Sequence, residues 1–277
     1  MEPFCYLNGK IVPIGDARVS VNDIGLLRGF GIYEGLITHN RKPFMLADHL
    51  ERFHRSAGKM SLAIPVSDAD IEVAINDLVE RNVPKDTEAL IRIILTGGET
   101  RGVIDYGDTP TLFILVTEFA PLEAEYLEHG CSLMSVEYHR DLAEIKSINY
   151  IKTVLLQKER RAKGALEVVY TWQGYVYECG GSNIFIVKGG KLITTKDDIV
   201  LGITRKVVIT LARPLFEIEE RPITVEELRT ADEVFITGSF KEVVGVVAID
   251  GKKVGDGMVG PTTKKVMDAF HDFARSY

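Results

Sequence analysis

Short apolar, β-branched runs follow one another along this chain without the regular strand–helix alternation that a parallel sheet requires. Tyr6-Leu-Asn-Gly-Lys-Ile-Val-Pro reads as a hairpin, with Asn8-Gly9 supplying the positive-φ turn. Gly189-Gly190 joins Ile184–Val187 to Leu192–Thr194 in the same way. Further strands are expected at Leu90–Leu95, Thr111–Thr117, Ser132–Val136, Val234–Thr237 and Val243–Ile249, the last followed by a turn at Asp250-Gly251. Helical patterns interrupt them. Leu46, Leu50, Phe53 and Ala57 recur at helical spacing through Leu46–Met60, and Asp68 is placed to cap a helix running to Glu80. Helices are also expected from about Tyr150 to Lys163 and from about Thr262 to the C-terminus. The spacing predicts a mixed α/β fold with largely antiparallel sheets. Ala120-Pro-Leu-Glu is the natural linker, dividing the chain into residues 1–120 and 121–277.

Composition excludes some partners. A net charge of -7 lacks the basic footprint of a nucleic-acid or anionic-membrane binder, although a local basic pocket for a small anion stays compatible with it. Cys5, Cys131 and Cys179 form no CxxC pair and have no histidine at zinc spacing, so neither a disulfide framework nor a metal site is expected. The opening residues show no basic-then-apolar leader, and the run Leu112–Val116 is far too short to cross a bilayer. Cytoplasmic residence is the expectation.

Four segments of the second half carry chemistry. Leu201-Gly-Ile-Thr-Arg-Lys enters a helix running through Leu211, and backbone N–H groups at a helix start with a close-approach Gly202 can cup a phosphate; the same spacing also suits a Thr-capped helix after a Gly turn. Lys146 lies between Ile145 and Ile148 just before a helix, where burial could make its amine nucleophilic, or where it is simply a surface lysine. Glu178 ends one strand in Val176-Tyr-Glu-Cys-Gly-Gly-Ser-Asn-Ile-Phe, either as a carboxylate able to hold a pyridinium proton or as a hairpin-edge glutamate. Phe235-Ile-Thr-Gly-Ser-Phe ends a strand in a small-residue turn that offers Ser239 to a phosphate.

Together these segments resemble the class IV aminotransferases, the pyridoxal-phosphate (PLP) enzymes of fold type IV. The resemblance covers almost the whole chain. It is densest in Glu178-Cys-Gly-Gly-Ser-Asn-Ile-Phe, Leu201-Gly-Ile-Thr-Arg, Glu219-Glu-Arg-Pro-Ile, Ala231-Asp-Glu-Val-Phe-Ile-Thr-Gly-Ser and Ile249-Asp-Gly-Lys, and extends to Gly29-Phe-Gly-Ile-Tyr-Glu-Gly and Asp48-His-Leu-Glu-Arg-Phe. It implies a homodimer of two-domain subunits with PLP held between the domains, the lysine-bearing domain being the second. It further implies Lys146 as the Schiff-base lysine and Glu178 as partner of the pyridine nitrogen. Arg52, Ile203 (through its backbone N–H), Thr204 and Ser239 would hold the phosphate, and Tyr33 would stand beside the substrate.

The substrates implied are amino acids and oxo acids such as 2-oxoglutarate. Arg28 and Arg92 are candidate carboxylate clamps, since an arginine within the apolar strand Leu90–Leu95 is costly without an anionic partner; a structural ion pair or a solvent-facing position would serve equally. Arg92 and Tyr150 resemble residues of branched-chain enzymes, whereas Lys146-Ser-Ile-Asn resembles the lysine segment of D-amino acid enzymes. The Arg-x-His trap of D-amino acid aminotransferases has no match in Leu95-Thr-Gly-Gly-Glu-Thr-Arg. Phe240-Lys241 replaces the small turn residues on which branched-chain enzymes dock an L-substrate carboxylate, and bulk there should obstruct that docking. The expectation is therefore a D-amino acid aminotransferase, with branched-chain L-amino acid transamination second and aminodeoxychorismate lyase third. A PLP-binding scaffold without turnover is the reading from another class, disfavoured because Lys146, Glu178 and the phosphate residues are all present.

Overall fold

A computed structural model describes residues 2–277. By its own contacts the chain forms two compact units. One runs through Ala120 and adds Ile145–Tyr150 and Tyr277; the other comprises Pro121–Glu144 and Ile151–Ser276. The segment Ile145–Tyr150, Lys146 included, belongs to the first unit.

The first unit contains, in chain order, β1 (Phe4–Leu7), β2 (Lys10–Pro13), α1 (Ile24–Arg28), β3 (Gly31–His39), β4 (Lys42–Pro43), α2 (Leu46–Lys59), α3 (Asp68–Asn82), β5 (Ala89–Thr96) and β6 (Thr111–Glu118). Its sheet has the order β2-β1-β6-β5-β3-β4, and every pair is antiparallel. Asn8 and Gly9 make the β1–β2 turn at φ 46° and 92°, the mirror-image geometry that matches strand twist. Ser67, one residue before the expected Asp68, caps α3 in a reciprocal box with Asp70. Alternate residues of β5 (Ile91, Ile93, Leu95) and of β3 (Ile32, Leu36) join Leu50 and Phe53 of α2 and Ile71, Ile75 and Leu78 of α3 in one core. The opposite face of the sheet carries Tyr33, Gly35, Arg92 and Ile94, paired as Tyr33–Ile94 and Gly35–Arg92.

The second unit contains α4 (Ala124–His129), β7 (Cys131–Glu137), α5 (Ile151–Leu155), α6 (Gln157–Ala162), β8 (Glu167–Trp172), β9 (Tyr175–Cys179), β10 (Asn183–Lys188), β11 (Lys191–Thr194), α7 (Ile203–Ala212), β12 (Ile218–Glu220), β13 (Ile223–Thr224), α8 (Val225–Arg229), β14 (Glu233–Gly238), β15 (Glu242–Ile249), β16 (Lys252–Lys253) and α9 (Pro261–Ser276). Its strands run β12-β11-β10-β14-β15-β7-β8-β9-β13, with β16 added to β15. Parallel contacts occur at β11–β12, β15–β7 and β7–β8, and the other pairs are antiparallel. The helix expected from Tyr150 to Lys163 is two short ones, broken at Leu156. β9 and β10 are not paired with each other, so Glu178 is a buried residue at the end of an inner strand rather than a hairpin-edge glutamate. Among the described residues no helix is long and apolar enough to cross a membrane.

Candidate active site

In the first unit the segment around Lys146 extends the edge of β3. Tyr33 N–H donates to Lys146 O at 2.9 Å and Ile148 N–H to Gly31 O at 3.0 Å, with Ile32 and Ser147 bridged antiparallel. These bonds fix the lysine backbone on the strand that carries Tyr33. Lys146 Nζ lies 3.3 Å from Tyr33 Oη and 4.5 Å from the centre of its ring. Tyr33 Oη donates in turn to Tyr150 Oη at 2.8 Å, and the two rings meet edge to face. Lysine, tyrosine and tyrosine therefore form one chain of polar atoms.

On the other face of β3, Glu34 is fully buried and accepts from Arg52 Nε at 2.8 Å, Arg52 Nη2 at 2.6 Å and His49 Nδ1 at 2.7 Å. α2 places His49 and Arg52 three residues apart, on one side of the helix. Burial alone would raise the Glu34 carboxyl; the Arg52 charge and the bonds from Arg52 and His49 overcome it and hold the group down to about 2. Burial pushes His49 below its ordinary value, so the ring is neutral and Nδ1–H is the donor. Arg92 contributes from the Tyr33 face, and its Nε is buried without a hydrogen-bond partner. Arg28 ends α1 on the surface, donating to Leu27 O at 2.8 Å, and is not brought into the Lys146–Tyr33–Tyr150 group.

In the second unit Glu178 is 5% exposed. Arg140 Nη1 donates to its Oε1 at 2.5 Å and Val200 N–H to its Oε2 at 3.1 Å. Sequence reasoning passed over Arg140. It sits in a loop after β7, and its only signal is a cation six residues ahead of Lys146. Ile203 and Thr204 open α7, both buried. Gly202 is the N-cap, and no side chain caps the helix, so the Thr-capped alternative does not hold. Asn183 fixes this helix start, accepting from Gly202 N–H at 3.0 Å and donating to Val200 O at 2.8 Å. A side chain at Gly202 would run into Asn183 Oδ1. Arg205 of the same motif turns away to Thr195 O and Glu220, at 3.0 and 2.9 Å.

Ser239, half-buried, lies in the turn from β14 to β15, followed by Phe240, which is 37% exposed. Lys241 is turned inward: its Nζ donates to Glu167 Oε1 at 2.6 Å. Cys179 and Cys131 are buried free thiols. Burial, reinforced by the Glu167 charge, raises Cys179 well above its ordinary value and pushes Cys131 up to about 12, so both are inert thiols. Among the described residues no group of three or more His, Cys, Asp or Glu side chains could hold a metal ion.

The second unit suits a phosphorylated cofactor. The first N–H groups of a helix have no intrahelical acceptor, and here no side chain supplies one. Thr237 Oγ1, on the sheet face shared with Asn183, is buried without a partner. Comparison with known proteins agrees. Residues 31–249 match the family model "Amino-transferase class IV". The chain is 38% identical to a Methanocaldococcus jannaschii protein named "Putative branched-chain-amino-acid aminotransferase", over 96% of this chain and 95% of that one. It is 31% identical to the D-alanine aminotransferase of Listeria innocua, over 95% and 93%. The crystal structure of a T.th. branched-chain amino acid aminotransferase with pyridoxamine 5′-phosphate superposes at a TM-score of 0.89 with 28% identity, over 100% of this chain and 95% of that one. The chain belongs to the class IV aminotransferase family. It is, accordingly, a PLP-dependent enzyme of fold type IV.

Proposed function

We propose that this enzyme transaminates branched-chain L-amino acids, with a dicarboxylic oxo acid such as 2-oxoglutarate as the amino acceptor. The observation that carries the reading is Arg92. An arginine whose buried Nε lacks a protein acceptor, on the sheet face of Tyr33, is a ready partner for a substrate carboxylate. The Methanocaldococcus relative and the T.th. structure support the branched-chain assignment. The sequence alone favoured D-amino acids because Phe240 and Lys241 were expected to crowd the docking turn. The Lys241 ammonium is spent on Glu167, so any crowding of that turn falls to Phe240.

PLP, when bound, is an electron sink for negative charge developing at the substrate Cα. The chain's own residues bind, orient and transfer protons. Lys146 Nζ would hold the cofactor and, once its amine is free again, would move the Cα proton, with Tyr33 Oη at 3.3 Å as the neighbouring polar group that orients it. Glu178, held by Arg140 and Val200 N–H, would keep a proton on the pyridine nitrogen. Arg52, Ile203 N–H, Thr204 and Ser239 are the residues that would hold its phosphate. Arg28 stands on the surface beside Leu26 and Leu27, 69% and 41% exposed, and Ile151, Val154 and Leu155 of α5 are exposed as well. Apolar surface of this kind favours a homodimer, in which Arg28 would serve the partner's site. Three free thiols suit a reducing cytoplasm.

The test is single-turnover conversion of bound PLP by L-leucine, L-isoleucine, L-glutamate, D-alanine and D-glutamate, followed by absorbance. Fast turnover of the three L-amino acids is expected. A clear preference for the D-enantiomers would overturn the proposal and return the site to the D-amino acid reading.

A further inference from the structure

From the geometry around Glu167 we infer that Lys241 is a positioning residue: with Glu167 it forms an inward clamp that sets the Ser239–Phe240 turn. This rests on the reading of Ser239 as a phosphate ligand and Phe240 as a wall of the substrate site. Ser239 and Phe240 are flanked by two anchors. On one side Gly238 lies against the Gly181–Ser182 loop: a Cβ at Gly238 would stand 3.1 Å from both Gly181 O and Ser182 Oγ. On the other, Lys241 reaches Glu167 at 2.6 Å, with side-chain exposures of 21% and 9%. The Lys241 N–H closes the turn onto Gly238 O at 3.1 Å. The next residue, Glu242, has a φ of 57°, in the left-handed region, and its carboxylate lies 3.0 Å from His271 Nε2 on α9. A turn that leaves through a left-handed residue needs its ends fixed.

The surroundings make the clamp specific to these two residues. A Cβ at Gly181 would lie 3.2 Å from Glu167 Oε1 and 3.9 Å from Lys241 Nζ, so the loop leaves room for the ion pair and no more. Cys131 and Cys179 are buried near the carboxylate and give it no charged partner. Burial would lower the Lys241 ammonium, but the Glu167 charge beside it raises it above its ordinary value, so Lys241 keeps its charge at neutral pH. A substrate carboxylate could recruit this ammonium only by stranding Glu167, whose Oε2 already lacks a partner. Lys241 therefore acts through Ser239 and Phe240.

The test compares K241M, E167M, the double variant K241M/E167M and the swap K241E/E167K, each isolated as full-length protein. Three quantities are read: the melting temperature of the apoprotein, the equilibrium constant for PLP from titration of its absorbance, and KM against kcat for each substrate. The single variants should melt lower, and the double variant should recover most of that loss because no charge is left stranded. The double variant should still bind PLP at least tenfold more weakly and show a raised KM for amino acid and oxo acid alike, with kcat changed less; the swap should recover part of the PLP affinity. Recovery of PLP affinity and KM together with melting in the double variant would overturn the inference, leaving the pair merely structural. So would loss of affinity for 2-oxoglutarate alone with PLP binding and melting intact, which would make Lys241 a substrate ligand. Failure of every variant to fold, or no change in any, would overturn it equally. Failure of the wild-type protein to bind PLP would strike the proposed function instead.

Discussion

Replacing Arg52 by Met removes the main counter-charge of a fully buried carboxylate and leaves only His49 beside Glu34. The wild-type Glu34 carboxyl sits at about 2 against an ordinary 4.5. At about 1.36 kcal/mol per pKa unit, that is about 3 kcal/mol of stability at neutral pH. Loss of one partner of a buried pair is expected to cost about 3–5 kcal/mol, so the two routes agree. Because the folded-state pKa is depressed, this contribution is fully present above about 4.5 and is lost as pH falls through about 2. In Arg52→Met the apoprotein should melt about 6–12 °C lower at pH 7, at about 2–4 °C per kcal/mol for a chain of this size. That share of the acid sensitivity should disappear. Adding Glu34→Gln should recover most of the loss, since the stranded charge is gone. The assay is thermal unfolding of apoprotein at pH 7 and pH 4. A fall of under about 2 °C, or a double variant no better than the single one, would refute the reasoning. The apoprotein isolates this effect from cofactor retention, which Arg52→Met should also weaken.

Three further outcomes follow from the site. Borohydride reduction of the PLP-loaded enzyme should label Lys146 in peptide mapping, and Lys146→Ala should abolish turnover; label on another lysine would displace Lys146 from its role. Glu178→Gln should retain PLP but lose most single-turnover activity, because a neutral amide cannot balance a protonated ring nitrogen; an unchanged rate would reject that partnership. Arg92→Ala should raise the KM for 2-oxoglutarate by a factor matching about 1.5–3 kcal/mol, the worth of a charged hydrogen bond, while an unaltered KM would show the arginine to be structural.

What could be read from the sequence and what could not divides by range of interaction. The Asn8-Gly9 hairpin, the amphipathic α2 and the apolar β5 and β6 depend on neighbours a few residues apart, and they fold as their patterns require. β3 does not announce itself: three glycines and a glutamate make Gly31–His39 and its approach a poor strand by propensity. Its Glu34 becomes tolerable in the core only because Arg52, 18 positions on, arrives from α2. Similarly, Arg140 acquires meaning from Glu178, 38 positions away, and Lys241 from Glu167, 74 positions back. A side chain's residue type revealed that it needed a charged partner; only the fold decides whether that partner is a substrate or another residue.

The pairing of the lysine segment with β3 has a consequence for how the protein is made. Tyr33 and Tyr150 are 117 positions apart, so the strand that orients the reactive lysine emerges from the ribosome long before the lysine does. Until residues 146–148 arrive, the edge of β3 at residues 31–33 has unpaired backbone groups, the kind of edge to which foreign strands add. A fragment ending at Ala120 would therefore keep the helices and most of the first sheet, yet carry a permanent site for aggregation. The same backbone bonds that aim the amine also seal that edge.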